Sequence, residues 1–157
     1  TFSSGHSNVT GLCFDGADRL FVTESGQPAG DELNLLAAGA DYGWPASAGA
    51  VDGIGPATTY PADQGGLGGC GILSRTAFVG AVDGRRIWMS VLSGSGLVIG
   101  DPQAFLADRY GRLCTVVAEP SGALWITTSN RDGPDPSADD DRVLRVLPPS
   151  DAGGGVS

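Results

Sequence analysis

Lysine is absent from this 157-residue chain, in which all nine basic residues are arginine. That removes the side chain on which a Schiff base or a phosphate-binding glycine loop depends. Long apolar runs are also missing, and none approaches the roughly 20 residues of a membrane-crossing helix, so no transmembrane segment is expected. The three cysteines, Cys13, Cys70 and Cys114, lie far apart without any C-x-x-C pattern, which excludes a compact thiolate metal or redox site. One disulfide plus one buried thiol, or three buried thiols, both remain open. No initiator methionine or signal peptide is visible, so Thr1 reads as a start left by processing or cleavage. With 18 acidic residues and a formal net charge of −9, the chain is not expected to bind nucleic acid. The acidic balance reads as a solubility feature.

Helical periodicity is lacking as well, because no segment keeps apolar residues at i, i+3 and i+4 for three turns without a glycine or proline. The best exception, Asp31 to Ala38 (DELNLLAA), is short and bracketed by Gly30 and Gly39, so a strand or a single helical turn fits it. Glycine (26) and proline (10) are plentiful and fall between apolar runs, the look of many short strands joined by tight turns.

Those strands repeat. LCFDGADRLFVTES from Leu12 aligns without gaps on VVAEPSGALWITTS from Val116, about a hundred residues later, or two units of about fifty. A looser third copy lies midway, where Gly71 to Val82 and Arg85 to Leu92 read as a hairpin across Asp83-Gly84. A multi-stranded repeat of this length predicts propeller blades. Pro45 to Gly69 and Pro134 to Asp141 read as long surface loops, and the tail from Pro148 to Ser157 as disordered, leaving residues 1–147 as one domain. Three blades cannot close a ring, for which about four to eight are needed. The remainder is expected from a missing N-terminal half of the propeller or from a second copy of this chain. Exposed strand edges at both ends count against the second.

Several motifs carry a family resemblance from Gly5 to about Val146. They are Gly5-His6-Ser7-Asn8, Gly11-Leu12-Cys13-Phe14-Asp15, Glu24-Ser25-Gly26-Gln27, Asp31-Glu32-Leu33-Asn34-Leu35 and Asp41-Tyr42-Gly43-Trp44-Pro45. In that order and spacing they resemble the second half of the soluble aldose sugar (glucose/sorbosone) dehydrogenases that use pyrroloquinoline quinone (PQQ). The last blade, with Ser129 to Gly133 and Asp140 to Val146, resembles the actinobacterial branch, some of whose members are lipoproteins.

The resemblance implies an all-β, six-bladed β-propeller of which this chain supplies about three blades. It also implies an extracytoplasmic oxidoreductase taking an aldose to a lactone, with PQQ and calcium as cofactors and a sugar or other small polar ligand as partner. An anionic quinone requires fixed positive charge, and hydride transfer requires a base. The family's base lies upstream of this chain, so none of its catalytic residues is expected here. His6, the only histidine, reads as a packing or hydrogen-bonding residue.

Asn8 and Arg112 match quinone-contacting positions. Gly26 and Gln27 match the loop that holds the quinone's calcium, and Glu32 and Tyr42 match a structural calcium site through a carboxylate and a backbone carbonyl, the oxygen ligands a hard cation prefers. Three departures stand against quinone binding. Ser7 replaces an arginine, Cys114 replaces a second, and Ser93 to Gly96 lacks an expected cation, so charge-assisted contacts to the anion are lost. The alternative is therefore a non-catalytic propeller that binds a ligand or another protein.

Four further expectations concern structure. Trp44, Trp88 and Trp125 read as packing between blades. Arg85-Arg86 reads as a solvated hairpin tip. Asp139 to Asp141 reads as a loop that caps strand ends or pairs with Arg142 and Arg145. Cys70 and Cys114, which both open blades, are expected to pair in a disulfide suited to an oxidising compartment.

Overall fold

The computed structural model describes residues 1–26, 30–45, 54–134 and 136–149. They form three antiparallel sheets following one another along the chain. The first comprises β1 (Val9–Phe14), β2 (Leu20–Glu24), β3 (Asp31–Leu35) and β4 (Thr58–Tyr60), and the second β5 (Leu67–Leu73), β6 (Thr76–Ala81), β7 (Arg86–Leu92) and β8 (Val98–Phe105). The third comprises β9 (Leu113–Ala118), β10 (Leu124–Thr128) and β11 (Val143–Val146). Among the described residues the only helical element is a 3-10 turn, Ala62–Gln64. The segment DELNLLAA thus resolves to a strand, β3.

Two expectations about boundaries are corrected. The Pro45 to Gly69 loop contains β4, the 3-10 turn and the start of β5, while residues 46–53 lie outside the described residues. The Gly71 to Val82 run is not one strand. It breaks at Ser74, which adopts φ 53°, so that β5 and β6 form their own hairpin. The ladder between β6 and β7 ends at Ala81↔Arg86, leaving Val82 to Arg85 as the turn in place of Asp83-Gly84 alone.

The middle sheet is covered on both faces, which explains why all six residues of β6 (TAFVGA) are buried. Side chains alternate along a strand. Ala77, Val79 and Ala81 accordingly pack with Phe21, Leu33 and Tyr60 of the first sheet. Phe78 faces the other way, onto Leu113, Val116, Leu124 and Ile126 of the third.

The leading strands β1, β5 and β9 run side by side in parallel, so close that side chains are excluded where they touch. A Cβ on Gly11 would lie 2.7 Å from the Cα of Gly69, and one on Gly71 would lie 2.8 Å from the Ala118 nitrogen. Glycine is required at such approaches. These contacts fix the level of each leading strand against the next. Gly68 meets the Cys114 carbonyl and Gly71 meets Ala118, so Cys70 lies beyond Cys114 along the axis.

That stagger overturns the expected Cys70–Cys114 pairing. Cys70 is bonded to Cys13 of β1, with Cα atoms 5.6 Å apart, and Cys114 is a free, half-buried thiol. The tryptophans divide. Trp88 is buried in the core between the first and second sheets, whereas Trp44 and Trp125 are exposed. Arg86 is half-buried, its guanidinium lying over the Trp88 ring and bonded to Gln64, so Arg85-Arg86 is only partly a solvated tip.

Candidate functional site

Because the leading strands are parallel, their first residues gather at one end of the three-sheet array. One backbone hydrogen bond recurs there in each sheet. The Asn8 carbonyl accepts the Ser25 N–H at 3.0 Å, the Gly66 carbonyl accepts Val82 at 2.9 Å, and the Arg112 carbonyl accepts Ser129 at 3.0 Å. Asn8 and Arg112 therefore hold equivalent positions in the first and third sheets, as the alignment of Leu12 with Val116 predicts. Ser25 ties this end to the second sheet through a 3.1 Å bond from its hydroxyl to the Leu67 carbonyl.

A buried carboxylate reinforces the same junction. Asp31 opens β3 and accepts the N–H groups of Gly26 at 2.9 Å, Gly66 at 2.5 Å and Leu67 at 3.2 Å. Gly26 sits at φ 84°, a conformation that favours glycine, which turns the chain away from β2 at this point. Gln27, the other residue of the expected calcium loop, lies outside the described residues.

Glu32 and Tyr42 stand at the two ends of a polar chain through His6, Glu24 and Asn34 that motif matching did not reveal. The Tyr42 ring stacks on His6 at 4.8 Å between centroids, and His6 Nδ1 lies 2.7 Å from the Glu24 carboxylate. Glu24, which is 1% exposed, also accepts the Ser7 N–H at 2.9 Å and one Asn34 amide bond at 3.0 Å. The same Asn34 amide reaches Glu32 at 3.1 Å. His6 Nε2 meets the Ser3 hydroxyl at 2.8 Å, so both ring nitrogens are occupied, consistent with a hydrogen-bonding role. The sequence does contain a signal for Glu24. It is the acidic residue at the repeat position where the third sheet has Thr128, in a strand otherwise apolar or hydroxylic.

Of the three positions expected to have lost a cation, two lie at this end. Ser7 points its hydroxyl to the Ser25 carbonyl at 3.3 Å, and Cys114 is a free, half-buried thiol. Ser93 to Gly96, expected beside these two, is not there. It forms the turn between β7 and β8 at the opposite end, where the Arg19 guanidinium donates to the Gly94 carbonyl at 2.7 Å. The reason is strand direction, because β7 starts at the Arg112 end and finishes at the other. For calcium, no group of three His, Cys, Asp or Glu side chains converges among the described residues. An ion held by Glu32 would need backbone carbonyls to complete its shell.

Beside Arg112, loops from the second and third sheets enclose a cavity of about 480 Å³ whose lining includes Arg85, Arg109, Tyr110, Arg112, Asn130 and Arg142. Asn130 is buried and braces this wall. Its side-chain oxygen, Oδ1, accepts the Arg112 N–H at 2.7 Å, and its side-chain amide donates to the Tyr110 carbonyl at 2.7 Å and to Asp140 at 3.1 Å. The expected role of the aspartate run is met by Asp140 and Asp141. Asp140 accepts the Ser137 N–H and pairs with Arg142 at 3.2 Å, and Asp141 accepts the N–H groups of Asn130 and Arg131. Arg145 pairs instead with Glu119 at 3.0 Å. The Ser137 N–H and the Asn130 amide hold the Asp140 carboxyl down at about 2.

Comparison with known proteins agrees with this architecture. Residues 1–68 match the family model described as Glucose / Sorbosone dehydrogenase. The PQQ-bound aldose sugar dehydrogenase of Streptomyces coelicolor superposes with a TM-score of 0.84 at 38% identity, covering 92% of this chain and 44% of that one. A glucose dehydrogenase-type oxidoreductase of Thermus thermophilus gives 0.81 at 32% identity, covering 92% of this chain and 46% of that one. Quinoprotein glucose dehydrogenase B of Acinetobacter calcoaceticus is 41% identical over 54 residues, 34% of this chain and 11% of that protein. The chain thus spans less than half the length of these relatives. Three consecutive antiparallel blades, an N-terminal match to the family model and close superposition on two such structures show this chain to be a portion of a β-propeller similar to those of the glucose/sorbosone dehydrogenases.

Proposed function

We propose that the full-length protein is an extracytoplasmic propeller that takes a sugar or similar small polar ligand at the Asn8–Arg112 end, with a quinone site too weak for efficient dehydrogenase chemistry. The observation that carries this reading is the donor inventory. The chain's own quinone contacts reduce to the Asn8 amide and the Arg112 guanidinium, because the Ser7 hydroxyl is engaged by its own blade and Cys114, where the resemblance implies an arginine, offers a thiol in place of a guanidinium. Each charge-assisted bond contributes about 1.5–3 kcal/mol, so losing two would weaken binding of a tricarboxylate by two orders of magnitude or more. PQQ, when bound, would supply the hydride acceptor. Asn8 and Arg112 would orient it, with calcium taken by Gly26 and Gln27 and a structural calcium by Glu32 and Tyr42. The Cys13–Cys70 disulfide supports placement outside the cytoplasm, where such bonds persist.

A dehydrogenase with a fully competent quinone site is the second reading, favoured by the superposition on a PQQ-bound sugar dehydrogenase. Calorimetric titration of PQQ into the calcium-loaded, full-length protein separates the two. Binding weaker than about 10 μM, with no sugar-dependent dye reduction, is the expected result. Micromolar or tighter binding accompanied by dye reduction would sink the proposal and establish the dehydrogenase.

A further inference from the structure

The cavity beside Arg112 gathers four arginines and four aspartates, Asp83, Asp108, Asp132 and Asp140. Four of the nine arginines line it, although the chain carries a net charge of −9. Two of the four are spoken for. Arg85 pairs with Asp108 at 3.4 Å and Arg142 pairs with Asp140. Arg109 and Arg112 have no carboxylate within ion-pair distance among the described residues. Arg109 only stacks, its guanidinium 5.4 Å from the Tyr110 ring centroid, with Arg142 at the same distance from that ring. The Arg142 Nε is a buried donor with no acceptor among the described residues. That atom lies behind the cavity wall, so the donors turned to the cavity are those of Arg109 and Arg112.

We propose that this cavity binds a small hydroxylated oxyanion, a sugar acid or a sugar phosphate, through the unpaired guanidinium groups of Arg109 and Arg112. Guanidinium groups match carboxylate and phosphate oxygens in paired geometry. The remaining acids of the lining, Asp83 and Asp132, have no cation partner among the described residues and are suited to accept hydroxyl hydrogens from the rest of the ligand. The volume of about 480 Å³ falls within the range of small-molecule sites. This deepens the ligand-binding reading above and rests on it. It is nevertheless measured separately, because quinone affinity is read with PQQ and this site with sugars.

The experiment is calorimetry on the full-length protein with three probes, D-glucuronate, glucose 6-phosphate and D-glucose. Glucuronate or glucose 6-phosphate should bind at least about tenfold more tightly than glucose, and whichever does so identifies the oxyanion as carboxylate or phosphate. Arg109→Gln, which disturbs only a stacking contact, should lower that affinity about tenfold or more while leaving the thermal midpoint within about 2 °C. Equal or absent binding of all three sugars overturns the proposal. So does tight binding that Arg109→Gln leaves unchanged in a folded protein.

Discussion

Single residues at this end of the propeller act mainly as acceptors for backbone N–H groups that the strand ladders leave over. Asp31 holds three such groups, Asp141 two and Glu24 one together with two side-chain donors. Their charge is part of the fold's integrity, and Asp140 shows how. Its folded value of about 2 lies below the ordinary 3.8 because the ionised form is the one that the Ser137 N–H and the Asn130 amide bond. A carboxyl depressed on folding adds stability that is fully present above its ordinary value and is lost as pH falls through the folded value. The wall formed by Asn130, Asp140 and Arg142 should therefore loosen between about pH 4 and pH 2. Hydrogen exchange at Ser137, whose N–H Asp140 accepts, and at Arg112, whose N–H is accepted by the Asn130 side chain, should rise over that window relative to the intrinsic rate in the native protein. In Asp140→Asn it should already be raised at neutral pH and change little on acidification. An unchanged exchange rate in the variant at neutral pH would refute the assignment.

Elements were legible where pattern and turn chemistry agree. The repeat from Leu12 and its copy from Val116 fall on β1–β2 and β9–β10 in the same register, because both alternate around a short acidic turn. Legibility failed where one property depends on its neighbours in space. The six residues of β6 are buried on two faces, so the break before it carries no alternation and had to be found from Ser74. Cysteine pairing failed likewise, since all three cysteines lie on leading strands and only the glycine-set stagger decides which two are level. The correction is measurable. Peptide mapping under non-reducing conditions should recover Cys13 joined to Cys70, while Cys114 alkylates freely once the protein is unfolded. The bridge spans 57 residues and joins two blades, so Cys13→Ser should lower the stability of the full-length protein by about 2–5 kcal/mol in a denaturant titration. A loss below about 0.5 kcal/mol, or recovery of a Cys70–Cys114 peptide, would mean the stagger is wrong.

Across the whole molecule, residues at matching repeat positions differ sharply in exposure, and the difference follows which neighbour is present. Phe21 and Trp125 match in the repeat and face the following sheet, yet Phe21 is 0% exposed and Trp125 is 42% exposed. Leu12 and Val116 match and face the preceding sheet, yet Leu12 is 63% exposed and Val116 is 2% exposed. Phe21 and Val116 are covered by the second sheet, whereas no described sheet lies beyond the first or the third. The apolar faces carrying Leu12 and Phe14 at one end, and Val117 and Trp125 at the other, are thus blade-packing faces that lack their blades. The 44% coverage of the Streptomyces coelicolor relative leaves room for those blades in the parent protein. If they close the ring, Leu12→Ala should cost about 2–5 kcal/mol and Trp125→Ala about 3–5 kcal/mol in the full-length protein. Ile99, equally exposed but on the outermost strand of a sheet already flanked on both sides, supplies the control. Ile99→Ala should stay within about 0.5 kcal/mol. Native mass identifies what covers the faces. A monomeric full-length protein assigns them to its own upstream blades, and a dimer of residues 1–157 assigns them to a second copy. Costs for Leu12 and Trp125 no larger than that for Ile99 would mean that the two faces stay open to solvent and that the ring never closes.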